Sequence, residues 1–144
     1  MSLKLLDVGA VQMLKKFFNN VDPVGGVSLT LKLFVNDVTP ADTGITYTEC
    51  TVTGYAHGVL SAGSWTVLEE DPNLSDGIAR AKYNNQIQFT FTGGFGQTIF
   101  GYYVVDNDGV IIYAERAVAA FIPSVPGDMI VITPLFQLSY GTPA

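Results

Sequence analysis

From Val27 the chain alternates: Val27, Leu29, Leu31, Leu33 and Val35 interleave with Ser28, Thr30, Lys32 and Phe34. A period of two places the first set on one side of an extended backbone, so the segment predicts a half-buried β-strand. Upstream the period is different. Val8, Val11, Leu14, Phe17 and Phe18 recur at spacings of three and four, the stripe of an amphipathic helix. Asp7 stands at its N-cap and Lys15 and Lys16 in its last turn, where each charge complements the helix dipole. Asn19-Asn20, Asp22-Pro23 and Gly25-Gly26 then end it. Phe17 and Phe18 are expected to bury against the sheet, the alternative being an arm docked on a neighbouring subunit.

Downstream, residues 36–44 and 69–77 are dense in turn formers and read as polar loops. Strands are expected over 48–55, 64–68, 78–83 and 86–92, the last with Ile87, Phe89 and Phe91 on one face. Gly93-Gly94-Phe95-Gly96 interrupts the pattern before a strand over 98–105. Asp106-Asn107-Asp108-Gly109 is a strong hairpin signal leading into a strand over 110–115. A last strand over 129–140 contains Pro134, which removes a ladder donor and places it at an edge or a bulge. Short strands separated by turns predict an all-β fold, an antiparallel sandwich or barrel (jelly-roll-like or immunoglobulin-like) with one N-terminal helix. Residues 1–26 read as the helical arm and 27–144 as the β-sandwich domain, a single domain overall.

Composition narrows the function. Of 144 residues 48% are hydrophobic and only 14% charged, against about 25% charged in an average soluble domain. Such a surface favours association. The net charge of −6 argues against duplex nucleic acid as a partner, because that binding depends on Lys and Arg displacing counterions. No apolar run is long enough for a membrane helix or a secretory signal, so the chain is expected to be made and kept in a cytoplasm or released from it by lysis. Asn73-Leu74-Ser75 is then a chance sequon.

The candidate chemistry is sparse. Cys50 and His57 are the sole Cys and His, too few for a zinc site and without flanks that would make a nucleophile–base pair. Asp106 and Asp108 start like a calcium loop but run at once into a strand. Glu69, Glu70 and Asp71 read as a solvated loop rather than a cation site, and Gly93–Gly96 as a turn rather than a phosphate loop. Glu49 and Glu115 are the best carboxylate pair for glycoside hydrolysis, provided they face each other across a cleft. Tyr47, Tyr55, Trp65, Phe95, Phe100, Tyr102, Tyr103 and Tyr113 fit the two faces of a sandwich core, or exposed platforms for stacking on sugars. No catalytic, metal or cofactor residue emerges.

Several stretches resemble small virion proteins of tailed bacteriophages, of the head decoration (cement) type. They are Asn36-Asp-Val-Thr-Pro-Ala-Asp-Thr, Thr53-Gly-Tyr-Ala, Ser64-Trp-Thr-Val, Phe100-Gly-Tyr-Tyr-Val-Val-Asp, Ile112-Tyr-Ala-Glu-Arg and Ile132-Thr-Pro-Leu-Phe. The resemblance runs from about Leu6 to Leu138, in style rather than by a signature motif, and brings no catalytic residues. It implies a non-enzymatic protein on the virion's capsid surface, a homotrimer binding the major capsid protein and bridging its subunits, with no cofactor, nucleic acid or membrane. The alternative is a tail or baseplate module binding a receptor or carbohydrate. Interface candidates are Val8, Val11, Leu14, Phe17 and Phe18 on the helix, Asn36, Asp37, Thr39, Pro40 and Asp42 on the first loop, and Glu69, Glu70 and Asp71 on the second.

Overall fold

A computed structural model describes Leu14, Phe18 and residues 29–40, 45–68 and 78–139. Strands dominate the described residues: β1 (Leu29–Phe34), β2 (Gly58–Leu60), β3 (Trp65–Leu68), β4 (Ile78–Tyr83), β5 (Ile87–Thr90), β6 (Ile99–Val105), β7 (Ile111–Phe121), β8 (Met129–Ile132) and β9 (Leu135–Ser139). Every pairing among them is antiparallel. The expected all-β class holds, but no sheet closes, so the barrel form is corrected: strand orders β2-β1-β6-β7, β3-β4-β9 and β5-β8 all end on open strands. The N-terminal helix is not seen as an element. Leu14 and Phe18 are helical, and the remainder of that expectation lies outside the described residues.

The chain divides into two compact units. The first takes Met1–Val27, Ser61–Gln86 and Thr133–Ala144 and contains the three-stranded sheet. Its core is aromatic. Phe18 lies 4.4 Å from Trp65 and 5.1 Å from Phe136 between ring centres, and Trp65 meets Tyr83 edge-on at 5.1 Å. The β4 strand is central, with Trp65 opposite Tyr83 on one flank and Phe136 opposite Ala81 on the other.

The second unit takes Ser28–Leu60 and Ile87–Ile132, with the four-stranded and two-stranded sheets. Leu29, Leu31 and Leu33 are buried as the alternation requires. Phe34, grouped by the alternation with the polar positions, is fully buried as well. A second apolar cluster of Phe34, Tyr103 and Val105 explains it, with Val38, Tyr47 and Phe100 packed against it; the chain after β1 folds back over this face. The β6 and β7 strands are joined by the expected hairpin. The Asp106 carboxylate accepts the N–H groups of Asp108 and Val110 at 2.9 Å, and Gly109 turns at φ 78°, a left-handed conformation that Gly adopts without a steric penalty.

Several boundaries differ from expectation. The strand over 48–55 is absent, and only the isolated bridges Phe34↔Glu49 and Thr53↔Gly93 remain there. The last expected strand divides at Pro134 into β8 and β9, which join different sheets. Proline lacks an N–H, and its carbonyl instead accepts the N–H of Tyr83 at 2.9 Å. The β7 strand continues six residues past Glu115, to Phe121.

Candidate functional site

Past Glu115 the sequence loses its alternation: Ala117-Val118-Ala119-Ala120-Phe121-Ile122 is wholly apolar. The β6–β7 ladder pairs Gly101 with Arg116 and then Ile99 with Phe121. One residue of β6, Phe100, is therefore opposed by four of β7, Ala117 to Ala120. Such a bulge bends the strand and breaks regular pairing. It leaves Val118 fully exposed, at 109% of the reference area.

The following loop and β8 add further exposed apolar residues, Ile122, Val125, Met129 and Val131. Five of the nine exposed large hydrophobic residues among the described residues thus fall between 118 and 131. All are aliphatic. The loop is firmly held. The Asp128 carboxylate accepts the N–H groups of Ser124 at 2.7 Å and Val125 at 3.1 Å, which holds its carboxyl below the usual carboxylate range. Phe91 donates its N–H to the Asp128 carbonyl and accepts that of Gly127, both at 2.9 Å.

Beside this stretch opens a cavity of about 280 Å³. Buried Leu33, Ile99 and Tyr102 form its inner lining, and exposed Ala117, Ala119 and Val131 its rim. Its one charged residue is Glu115. Glu115 lies opposite Tyr102 in the ladder and accepts that phenol's O–H at 2.6 Å. Burial, and then the hydrogen bond to Glu115, push the Tyr102 phenol far up. Tyr102 therefore stays a donor and fixes the carboxylate in the lining of a mostly apolar recess.

The first-loop candidates are placed more as scaffold than as open surface. Asn36 is half-buried and spans its loop, donating from Nδ2 to the Thr46 carbonyl at 2.7 Å and accepting the Thr48 N–H at 2.8 Å. Asp37 is exposed and pairs with Arg116 at 2.7 Å. Arg116 also donates to the Val38 carbonyl at 2.8 Å and lies 5.1 Å over the Phe100 ring. Thr39 is exposed and Pro40 half-buried. Leu14 and Phe18, at 3% and 2% exposure, are buried within the chain. Val8, Val11, Phe17, Asp42, Glu69, Glu70 and Asp71 lie outside the described residues.

The chemical candidates do not converge. Glu49 accepts hydrogen bonds from Lys32 Nζ at 2.9 Å and from the Tyr55 hydroxyl at 3.0 Å, and His57 Nδ1 lies 4.0 Å away. Glu49 does not line the cavity that Glu115 borders. Cys50 is buried, and desolvation first of all pushes its thiol up, the reverse of what an attacking thiolate needs. Among the described residues no cluster of three or more His, Cys, Asp and Glu could hold a metal ion. Each of the eight aromatics named from the sequence is buried or half-buried. Sequence reasoning missed the stretch from Ala117 to Val131. Its signal was available in the unalternated apolar run after Glu115. No family model, curated protein or solved structure matches the chain.

Proposed function

We propose that this protein is a structural attachment module, a bacteriophage head decoration protein of β-sandwich type. In this reading a homotrimer sits on the assembled shell, bridges major capsid subunits and stabilises them without catalysis. The observation that carries it is the aliphatic stretch from Val118 to Val131, exposed on a bulge and a hydrogen-bonded loop. Apolar surface of this kind marks a docking site, and a loop already held in shape loses little entropy on binding. The 14% charged fraction of the chain supports the same reading. A ligand that binds only the assembled shell stabilises it by mass action, about 2.7 kcal/mol at a hundredfold excess over Kd. The carbohydrate-binding alternative draws less support, since among the described residues the exposed large hydrophobic side chains are aliphatic and offer no ring for stacking.

The test is co-sedimentation with purified empty heads of the phage whose genome encodes the chain. Binding that raises the temperature of head disruption is expected, together with its loss in Val118→Asp. A parent protein that stays in the supernatant at saturating concentration refutes the proposal.

A further inference from the structure

We infer that the cavity beside β7 and β8 receives an extended aliphatic segment of the partner carrying one Lys or Arg, with that cation seated on Glu115. The inference rests on the attachment reading and names the chemistry of its partner. Three observations lead to it. The recess is small, about 280 Å³, at the bottom of the roughly 300–1,000 Å³ range of sites that enclose a whole small molecule, a size that suits side chains projecting from a chain that continues outside. Its lining is mostly apolar and carries one charged group, Glu115, held by Tyr102. A net charge of −6 favours a cationic over an anionic segment approaching that carboxylate. Finally, β7 and β8 are terminal strands of their sheets, and terminal strands offer main-chain donors and acceptors to an added extended chain.

The probe is the peptide acetyl-Ser-Val-Thr-Val-Lys-Val-Ser-amide, with a twin carrying Glu in place of Lys, titrated into the methyl-labelled full chain and followed by NMR. The Lys peptide should shift the methyl signals of Ala117, Ala119, Ile130 and Ile132, all lining the cavity, and leave Val67 and Ala81 of the other unit unmoved. The Glu twin should bind about fivefold more weakly, the scale of a partly exposed ion pair. Glu115→Gln should abolish the difference between the peptides, and Ala119→Trp should fill the cavity and abolish binding. The methyl spectra report whether each variant is folded; if Ala119→Trp is not, Glu115→Gln decides alone. Absence of shifts, shifts confined elsewhere, or equal affinity for the two peptides in the parent overturns the inference. The head co-sedimentation separates the two claims. A parent that does not attach refutes the attachment reading whatever the peptide does, whereas folded Ala119→Trp attaching at parent strength refutes only the role of the cavity.

Discussion

Replacing Phe18 by Ala discriminates between a helix that is core and a helix that is a docking arm. Phe18 is 2% exposed and contacts the rings of Trp65 and Phe136. Truncating a buried Phe to Ala costs about 3–5 kcal/mol, because the lost transfer free energy adds to the cavity left behind. The aromatic contacts place this site in the upper half of that range, near 4 kcal/mol. Trp65 is the chain's single Trp, so its fluorescence reports this packing directly. In a urea titration with a slope of about 2 kcal/mol/M, a loss near 4 kcal/mol lowers the midpoint by about 2 M. The Trp65 emission of the variant should also shift to the red before the main transition. Phe18→Leu, which keeps most of the volume, should recover more than half of the loss. A Phe18→Ala midpoint within 0.3 M or so of the parent, combined with weakened attachment to heads, would refute the packing argument and return the residue to the interface.

Gly101→Ala should cost at least about 3 kcal/mol and show in a thermal melt, since the added Cβ would meet the Glu115 carbonyl and the Phe34 ring, 2.7 Å at its nearest carbon, with Phe34 fully buried. The depressed Asp128 carboxyl contributes stability that is fully present above the ordinary carboxylate pKa and is lost as the pH falls through its lowered value. The protection of the Ser124 and Val125 amides against hydrogen exchange, measured relative to the intrinsic rate at each pH, should therefore fall on acidification in the parent, and Asp128→Asn should remove that fall. Cys50, buried with its thiol pushed up, should resist an aromatic disulfide reagent in the native protein and react fully in denaturant. The double change of Cys50→Ala with His57→Gln should leave attachment intact, at a packing cost of about 1–2 kcal/mol.

Local signals carried far along this chain. The alternation around Leu31 placed β1, and Asp106 with Gly109 placed the hairpin, because each rests on interactions within a few residues. Pro134 signalled an interruption for the same local reason, its missing N–H. The expected strand over 48–55 was not formed because alternation records only which side chains prefer burial. Cys50 and Val52 are indeed buried, yet the backbone around them pairs only at the isolated bridges of Glu49 with Phe34 and of Thr53 with Gly93. The burial of Phe34 was not legible, and the apolar run around Val118 showed a break in alternation but not which of its side chains would be exposed, since both depend on what the rest of the chain brings to that face.

The sequence by itself determined the all-β class, the turns, and a surface short of charge, because these follow from backbone preferences and side-chain counts. Tertiary structure alone decided which strands pair, that β8 and β9 part into different sheets, and that the β6–β7 register slips to expose an aliphatic bulge. It also set Glu115 against Tyr102 in the lining of a mostly apolar cavity. The physical reason is the range of the interactions. Propensity and turn chemistry act within a few residues, while register, burial of a second face and the shape of a recess are fixed by contacts between segments far apart in the chain.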